Sequence, residues 1–289
     1  MATVADWLEG ARIRTLPAAL APVILGTFSA YALGSGSIPR ALLAAGLALA
    51  LQVGVNFAND YSDGVRGTDD VRTGPPRLTG GGKASPRTVK LAAFGSFGIG
   101  ALLGLVLVAL TGQWWLLGVG AAAVVAAWYY TGGSRPYGYM GLGEVFVFTF
   151  FGLVATLGTT YTQALRVDAA TWLGAAGVGL IACAILMANN IRDIPTDSAV
   201  GKRTLAVRLG ERGARIAYVA MIAAPLVLAA VAALWYPWAL LVLLLVPAVW
   251  WLARPVLGGA TGRALIPVLR NTGFFELAFA ALLGLGLVL

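Results

Sequence analysis

Two short polar stretches interrupt an otherwise apolar sequence, and their side chains are of the kinds that bind metal ions and phosphates. In the first stretch the polar residues recur every three or four positions: Gln52, Asn56, Asn59, Asp60 and Asp63. The second stretch has the same spacing: Asn189, Asn190, Asp193 and Asp197. Residues three and four apart share one face of a helix, so each stretch predicts a polar stripe that faces the interior of a bundle or a wet cavity.

The acidic residues within each stripe indicate cation binding. Asp60 lies three residues before Asp63, and Asp193 lies four before Asp197, so each pair repels itself unless a cation sits between. The chain has no histidine and one cysteine, which favours a hard, oxygen-bound ion such as Mg²⁺. The predicted metal ligands are Asp60, Asp63, Asp69, Asp193 and Asp197. The simpler interpretation is that these acids cap helices and pair with loop arginines.

Magnesium is usually held by one or two carboxylates together with phosphate oxygens. Two facing acidic clusters therefore predict a site in which two or three Mg²⁺ ions clamp one diphosphate. The predicted diphosphate ligands are the nearby amides and cations: Asn56, Asn59, Arg66, Asn189, Lys202 and Arg203. The predicted catalytic residues are Asp60, Asp63, Asp193, Asp197 and Lys202. Membrane orientation alone would explain most of the other basic residues.

Arg135, Tyr137, Tyr139 and Glu144 lie close together in the sequence and form a second candidate group, for contact with an aromatic co-substrate. Interfacial aromatic residues more often anchor a protein in the membrane, and Glu144 also suits a helix cap. A further segment, 74–82, is rich in Gly and Pro and is interpreted either as a linker or as a lid over the site.

The elements that must position these residues are membrane helices. The chain is 59% hydrophobic and 11% charged, which excludes a soluble domain. Since a span needs roughly 20 apolar residues, we predict an all-α protein, a single domain over 1–289, with about nine transmembrane helices. The apolar segments are 15–33, 41–59, 88–111, 114–131, 143–161, 172–190, 213–234, 237–253 and 271–289.

The basic residues give the orientation. With the N-terminus in the cytoplasm, every Lys and Arg except Arg40 and Arg166 lies on the cytoplasmic side, as the positive-inside rule requires. The long polar connections, near 60–87 and 191–212, are then cytoplasmic, and the acidic clusters lie at that face of a bacterial plasma membrane. The net charge of +8 is explained by this distribution, without nucleic acid.

The stretch from Asn56 to Asp69, read as N-x-x-N-D-Y-x-D-x-x-x-G-x-D, resembles the first aspartate-rich motif of the UbiA superfamily of intramembrane prenyltransferases. Asp193-x-x-x-Asp197 resembles the second. The stretches 10–19, 137–144 and 193–210 are similar to the branch that acts on 1,4-dihydroxy-2-naphthoate. Many relatives carry a third aspartate at the position of Gly67; the later Asp69 and Asp70 favour the naphthoate branch.

The resemblance implies transfer of a polyprenyl group from its diphosphate to the naphthoate ring, with loss of CO₂ and pyrophosphate, giving demethylmenaquinone. It implies Mg²⁺ as cofactor and Lys202 as a partner of the leaving pyrophosphate. A carboxylate, the pyrophosphate or the substrate's own hydroxyl would deprotonate the ring. The alternatives are another aromatic acceptor, such as 4-hydroxybenzoate, and a membrane transporter, whose acids should lie nearer the bilayer midplane on broken helices.

Overall fold

The computed structural model describes residues 2–68 and 77–289, and every regular element in these two ranges is a helix. The prediction of an all-α protein is confirmed. In chain order the helices are α1 (Val4–Gly10), α2 (Pro17–Ala32), α3 (Ile38–Arg66), α4 (Pro86–Thr111), α5 (Leu116–Tyr129), α6 (Gly143–Ala164), α7 (Ala169–Ala199), α8 (Leu205–Ala232), α9 (Pro237–Leu257) and α10 (Gly262–Val288).

Seven of these helices are long and apolar enough to cross a membrane, namely α3, α4 and α6 to α10. The shorter apolar helices α2 and α5 correspond to the first and fourth predicted segments. Each predicted apolar segment therefore contains a helix. The number of helices that span the bilayer and the side on which the N-terminus lies remain predictions.

Two helices continue well beyond their apolar segments. The third helix, α3, ends at Arg66, where Gly67 adopts φ +74° and stops it; α7 continues through Pro195 to Ala199. The polar connections are correspondingly shorter than predicted. Each helix continues beyond its apolar segment because its polar stripe gives the helix end one face that packs inside the bundle. Asp63 and Asp197 therefore lie on rigid helices, which fixes their separation.

The core of the bundle forms around α7. In the most apolar stretch of 18 residues in α7, 67% of the residues are buried. This helix packs against both α8 and α10. Large side chains from these three helices fill the core: Ile181, Met187, Tyr218, Ile222 and Phe279 are fully buried. This packing holds the polar end of α7 in place.

The sixth helix contains one wide turn. Residues Phe148–Val154 adopt π-helical geometry between α-helical ends, a distortion that is frequent at functional sites. Gly152 in this turn faces Gly179 of α7, and a Cβ built on Gly152 would lie 2.4 Å from the Gly179 Cα. The close contact of the two backbones therefore requires glycine.

We expect Gly152→Ala to lower the free energy of unfolding by about 1–3 kcal/mol, because the obstructing atoms are backbone and cannot rotate away. Gly158→Ala is the matched control on the same helix, since a Cβ there meets nothing within 4 Å. The measurement is the folded fraction after heating the purified protein in detergent. Equal behaviour of the two variants would show that the α6–α7 contact tolerates a methyl group.

Candidate active site

A cavity of about 1260 Å³ lies inside the bundle, between α2, α3, α4, α5, α6 and α7. Its polar end carries side chains from both predicted stripes and from the connections beside them: Asn56, Asn59, Asp63, Arg77, Asn189, Asn190, Asp193, Asp197 and Lys202. The remainder is lined mainly by aliphatic and aromatic residues of these six helices. The cavity therefore joins a charged end to a long apolar interior.

Asp63 is positioned by two neighbours. The Tyr139 hydroxyl donates to Asp63 Oδ1 at 2.8 Å, and Arg77 Nη2 lies 3.9 Å from Asp63 Oδ2. Burial, together with the negative charge of Asp63, raises the pKa of Tyr139 to about 12. Tyr139 therefore keeps its proton at neutral pH and remains a hydrogen-bond donor to the carboxylate.

Asp193 is paired with its own neighbour in the chain. Arg192 donates from Nε to Oδ1 at 2.7 Å and from Nη2 to Oδ2 at 2.6 Å. The same Nη2 also donates to Asn189 Oδ1 at 2.8 Å. This bidentate pair fixes the carboxylate, and Oδ2 also accepts a hydrogen bond from Asn189 Nδ2 at 3.5 Å.

Asp197 is the least satisfied of the acids. Its Oδ1 lies 3.4 Å from Lys202 Nζ, while its buried Oδ2 has no hydrogen-bond partner in the part of the chain that the structure describes. The charges of Asp63 and Asp193 also act on Asp197. A buried carboxylate oxygen without a partner is costly, and a bound cation would satisfy it.

These donors fit a magnesium ion that takes most of its ligands from phosphate and water. Within residues 2–68 and 77–289, no three acidic or cysteine side chains converge closely enough to enclose a metal ion by themselves. Mg²⁺ does not need such a cage, because one or two carboxylates suffice when substrate phosphates supply the rest. The unpartnered oxygen of Asp197 is the observation that supports this fit.

Asp60 has a different environment from the other acids. It is fully buried, and its two oxygens accept the backbone N–H groups of Leu78 (2.9 Å) and Thr79 (2.8 Å). Asp60 does not line the cavity. In this conformation it anchors the turn that carries Arg77 to the cavity, and its role as a metal ligand remains a prediction.

The amides of α3 also connect the cavity to its surroundings. Asn56 donates to the Ala11 carbonyl at 2.9 Å and to the Thr15 hydroxyl at 3.3 Å. Asn59 accepts a hydrogen bond from the Thr131 hydroxyl at 2.8 Å. Both amides line the cavity, so each has a structural partner while it faces the space where a ligand would lie.

Three predicted cationic residues lie away from the cavity lining. Arg66 donates to the carbonyls of Thr131 (2.6 Å) and Gly133, which ties the end of α3 to the connection after α5. Arg135 and Arg203 are exposed, and neither lines the cavity. The predicted metal ligand Asp69 falls outside the described residues.

The structure places the residues that were predicted to contact an aromatic ligand in different environments. Tyr137 lines the cavity, stacks on Phe146 with ring centroids 3.9 Å apart, and donates its hydroxyl to the Ala126 carbonyl. Tyr139 contacts Asp63 instead. Glu144 is buried beside α7, where its Oε1 accepts from Asn190 at 3.3 Å.

Some residues of the polar end were not singled out from the sequence. Arg12 lines the cavity from the connection before α2, where its backbone is left-handed with φ +53°. Arg77 is buried next to Asp63, although in the sequence it is one basic loop residue among many. The next residue in the chain, Leu78, is fully buried. An apolar residue within a Gly-rich segment was the signal in the sequence that this segment folds against the bundle.

Comparison with known proteins agrees with this architecture. The model of the UbiA prenyltransferase family matches residues 19–264. A Mycobacterium tuberculosis protein named 1,4-dihydroxy-2-naphthoate octaprenyltransferase is 53% identical over 283 residues, which cover 97% of this chain and 96% of that protein.

Solved structures of low sequence identity share the fold. The apo structure of a UbiA homolog from Aeropyrum pernix K1 superposes with a TM-score of 0.70, at 18% identity, over 93% of this chain and 96% of that one. A UbiA homolog from Archaeoglobus fulgidus bound to GPP and Mg²⁺ gives a TM-score of 0.66, at 14% identity, over 98% and 99% of the two chains.

Proposed function

The chain belongs to the UbiA prenyltransferase family, and we propose that it transfers a polyprenyl group from polyprenyl diphosphate to 1,4-dihydroxy-2-naphthoate. The allylic C–O bond breaks and a C–C bond to the ring forms. Pyrophosphate and the ring carboxyl, as CO₂, leave, and the product is demethylmenaquinol, the reduced form of demethylmenaquinone. The observation that carries the proposal is the full-length similarity to the M. tuberculosis relative, which is named for this acceptor.

The cavity supports the same reaction on physical grounds. A polyprenyl diphosphate has one highly charged end and a long apolar tail, and the cavity has the same division. The charged end is near the predicted cytoplasmic face, so the substrate would enter with its diphosphate toward the cytoplasm. A transporter interpretation has no comparable support, because the acids of the two polar stripes gather at one end of the bundle.

We propose Asp63, Asp193 and Asp197 as the carboxylates that hold Mg²⁺ together with the diphosphate. When bound there, the ion neutralises negative charge on the leaving pyrophosphate. The A. fulgidus homolog was solved with both GPP and Mg²⁺, which supports this pairing of ligands. Asp60 and Asp69 complete the proposed ligand set, Asp60 only if it releases the backbone amides of Leu78 and Thr79.

The other residues of the polar end bind and orient the diphosphate. Lys202 lines the cavity, and its Nζ lies 3.4 Å from Asp197 Oδ1, so it would donate to a diphosphate oxygen bound beside that carboxylate. Asn59 and Asn189 supply neutral donors around it, and Asn56 does so only if it releases the Thr15 hydroxyl or the Ala11 carbonyl. Arg66 and Arg203 act at most at the rim, since neither lines the cavity.

An allylic cation must be kept from water until the ring attacks it. Tyr130, Tyr137 and Phe146 line the cavity close together, with Tyr137 stacked on Phe146 and edge-on to Tyr130. We propose that these rings form the wall against which the naphthoate lies. Tyr137 is then the acceptor contact, while Tyr139 acts by holding Asp63. Neither Arg135 nor Glu144 lines the cavity.

The test is prenyl transfer by the purified protein in detergent, with labelled 1,4-dihydroxy-2-naphthoate and 4-hydroxybenzoate offered side by side. We expect demethylmenaquinol, detected as demethylmenaquinone after oxidation in air, in Mg²⁺ and almost none in excess EDTA. Preference for 4-hydroxybenzoate would replace the acceptor but keep the reaction class. No product from either acceptor, with solute uptake into proteoliposomes, would overturn the enzyme proposal.

A further inference from the structure

One buried amide at the edge of the charged end takes no part in the proposed diphosphate site. Asn190 lines the cavity and is only 5% exposed. Its Nδ2 donates to Glu144 Oε1 at 3.3 Å. Its Oδ1 is not sealed inside the protein and makes no hydrogen bond within residues 2–68 and 77–289. A polar atom in this position is costly unless a partner reaches it, and a ligand in the cavity can supply one.

Glu144 holds the Asn190 amide in this orientation. Glu144 is itself buried, and it does not line the cavity, so it reaches a ligand only through its neighbour. An amide has one donor atom and one acceptor atom. Because the donor Nδ2 is turned to Glu144, the acceptor Oδ1 is the atom that Asn190 offers to the cavity.

Asn190 lies between the acids and the aromatic wall. On α7, Leu186 precedes it by four residues and Asp193 follows by three, so the three share one face, and all line the cavity. The rise from Asn190 to Asp193 is about 4.5 Å. A Cβ built on Gly143 would lie 3.2 Å from Leu186 Cδ2 and 3.5 Å from the Tyr130 hydroxyl oxygen, which places the Tyr130 ring beside this face of α7.

We propose that Asn190 Oδ1 accepts a hydrogen bond from the 4-hydroxyl of the naphthoate, and that Glu144 is the positioning residue for this contact. The inference rests on the proposed function. The attacked allylic carbon is bonded to the diphosphate, and the ring must come within about 3–3.5 Å of it. With the diphosphate bound beside Asp193, the ring therefore lies within about one helical turn of that residue, at the level of Asn190.

The chemistry of the acceptor selects the hydroxyl. The 1-hydroxyl is next to the ring carboxylate and donates to it internally, which leaves the 4-hydroxyl as the free donor. The carboxylate itself has only acceptor atoms, so it gains nothing from Oδ1. Asn190 therefore orients the ring by its 4-hydroxyl and disfavours the reversed orientation, in which the carboxylate would face the amide oxygen.

The experiment measures KM for 1,4-dihydroxy-2-naphthoate and, separately, for polyprenyl diphosphate. We expect Asn190→Ala to raise the naphthoate KM roughly tenfold, as for one lost hydrogen bond, with the diphosphate KM nearly unchanged. Glu144→Ala, which lets the amide rotate, should also raise the naphthoate KM. Glu144→Gln still offers an oxygen to Asn190 Nδ2 and should stay near the wild-type value.

Thr149→Val is the matched control. Thr149 also lines the cavity, but its hydroxyl donates to the Val145 carbonyl of its own helix at 2.8 Å, so both KM values should stay near wild type. An Asn190→Ala protein with the wild-type naphthoate KM, or with both KM values raised alike, would overturn the inference.

A second ligand tests the hydroxyl without relying on a variant. 1-Hydroxy-2-naphthoate lacks the 4-hydroxyl, so it should stabilise the wild type against heating only at roughly tenfold higher concentration than the dihydroxy compound. Asn190→Ala should remove most of this difference, and a difference that persists in full would contradict the contact. Wild-type protein that makes no product would contradict the proposed function instead, and the same two-ligand comparison then decides the role of Asn190.

Discussion

Asp197→Asn is expected to lower the rate of prenyl transfer at least about 100-fold, more than other substitutions in the cavity. The change removes the charge but keeps the shape, and the oxygen affected is the buried Oδ2 that has no partner in the described part of the chain. Charges that act directly on the reacting group contribute on this scale. The measurement is the initial rate with saturating acceptor across a series of Mg²⁺ concentrations.

The control is Asp168→Asn on the same helix. Asp168 caps the far end of α7 by accepting the Thr171 N–H at 2.8 Å, and asparagine caps about as well as aspartate. This variant should transfer prenyl groups at close to the wild-type rate. Asp197→Asn with full activity and an unchanged Mg²⁺ requirement would remove Asp197 from the proposed ligand set.

The helical fold could be predicted because hydropathy and helix length are properties of the local sequence. The bundle needs apolar runs of about 20 residues, and these are visible without any knowledge of tertiary contacts. The ends of α3 and α7 were less predictable, because Asp63 and Asp197 are polar yet lie on helical faces turned to the cavity. The spacing of three and four residues between the polar residues of each stripe predicted these helical faces better than hydropathy did.

The partners of the polar residues could not be predicted in the same way. Asp60 and Asp63 look equivalent in the sequence, but Asp60 accepts two backbone amides of the 77–84 turn while Asp63 faces the cavity. Arg66 and Arg203 are near the acids in the chain but lie outside the cavity lining, whereas Arg12 and Arg77, which are farther from the acids in the sequence, reach it. Sequence proximity measures distance along the chain, and loops decide which side chains meet in space.

Lys202→Met is expected to reduce kcat by roughly 100-fold, with KM for the polyprenyl diphosphate changed much less. Lys202 follows α7 directly, its backbone N–H donates to the Asp197 carbonyl at 2.8 Å, and its Nζ lies 5.1 Å from the centre of the Tyr139 ring. These contacts aim the ammonium into the polar end of the cavity. Negative charge on the pyrophosphate grows as the C–O bond breaks, so the lost stabilisation belongs mainly to the transition state.

Two further variants distinguish stabilisation of the leaving pyrophosphate by Lys202 from a general effect of removing one positive charge from the protein. Lys83→Met removes a cation that pairs with Asp6 at 2.5 Å and does not line the cavity, so its kcat per folded molecule should stay near the wild-type value. Lys202→Arg keeps the charge and should recover part of the lost rate. A Lys202→Met protein that loses affinity but keeps kcat would show that the ammonium contributes uniform binding and leaves the departing pyrophosphate to the metal and the arginines.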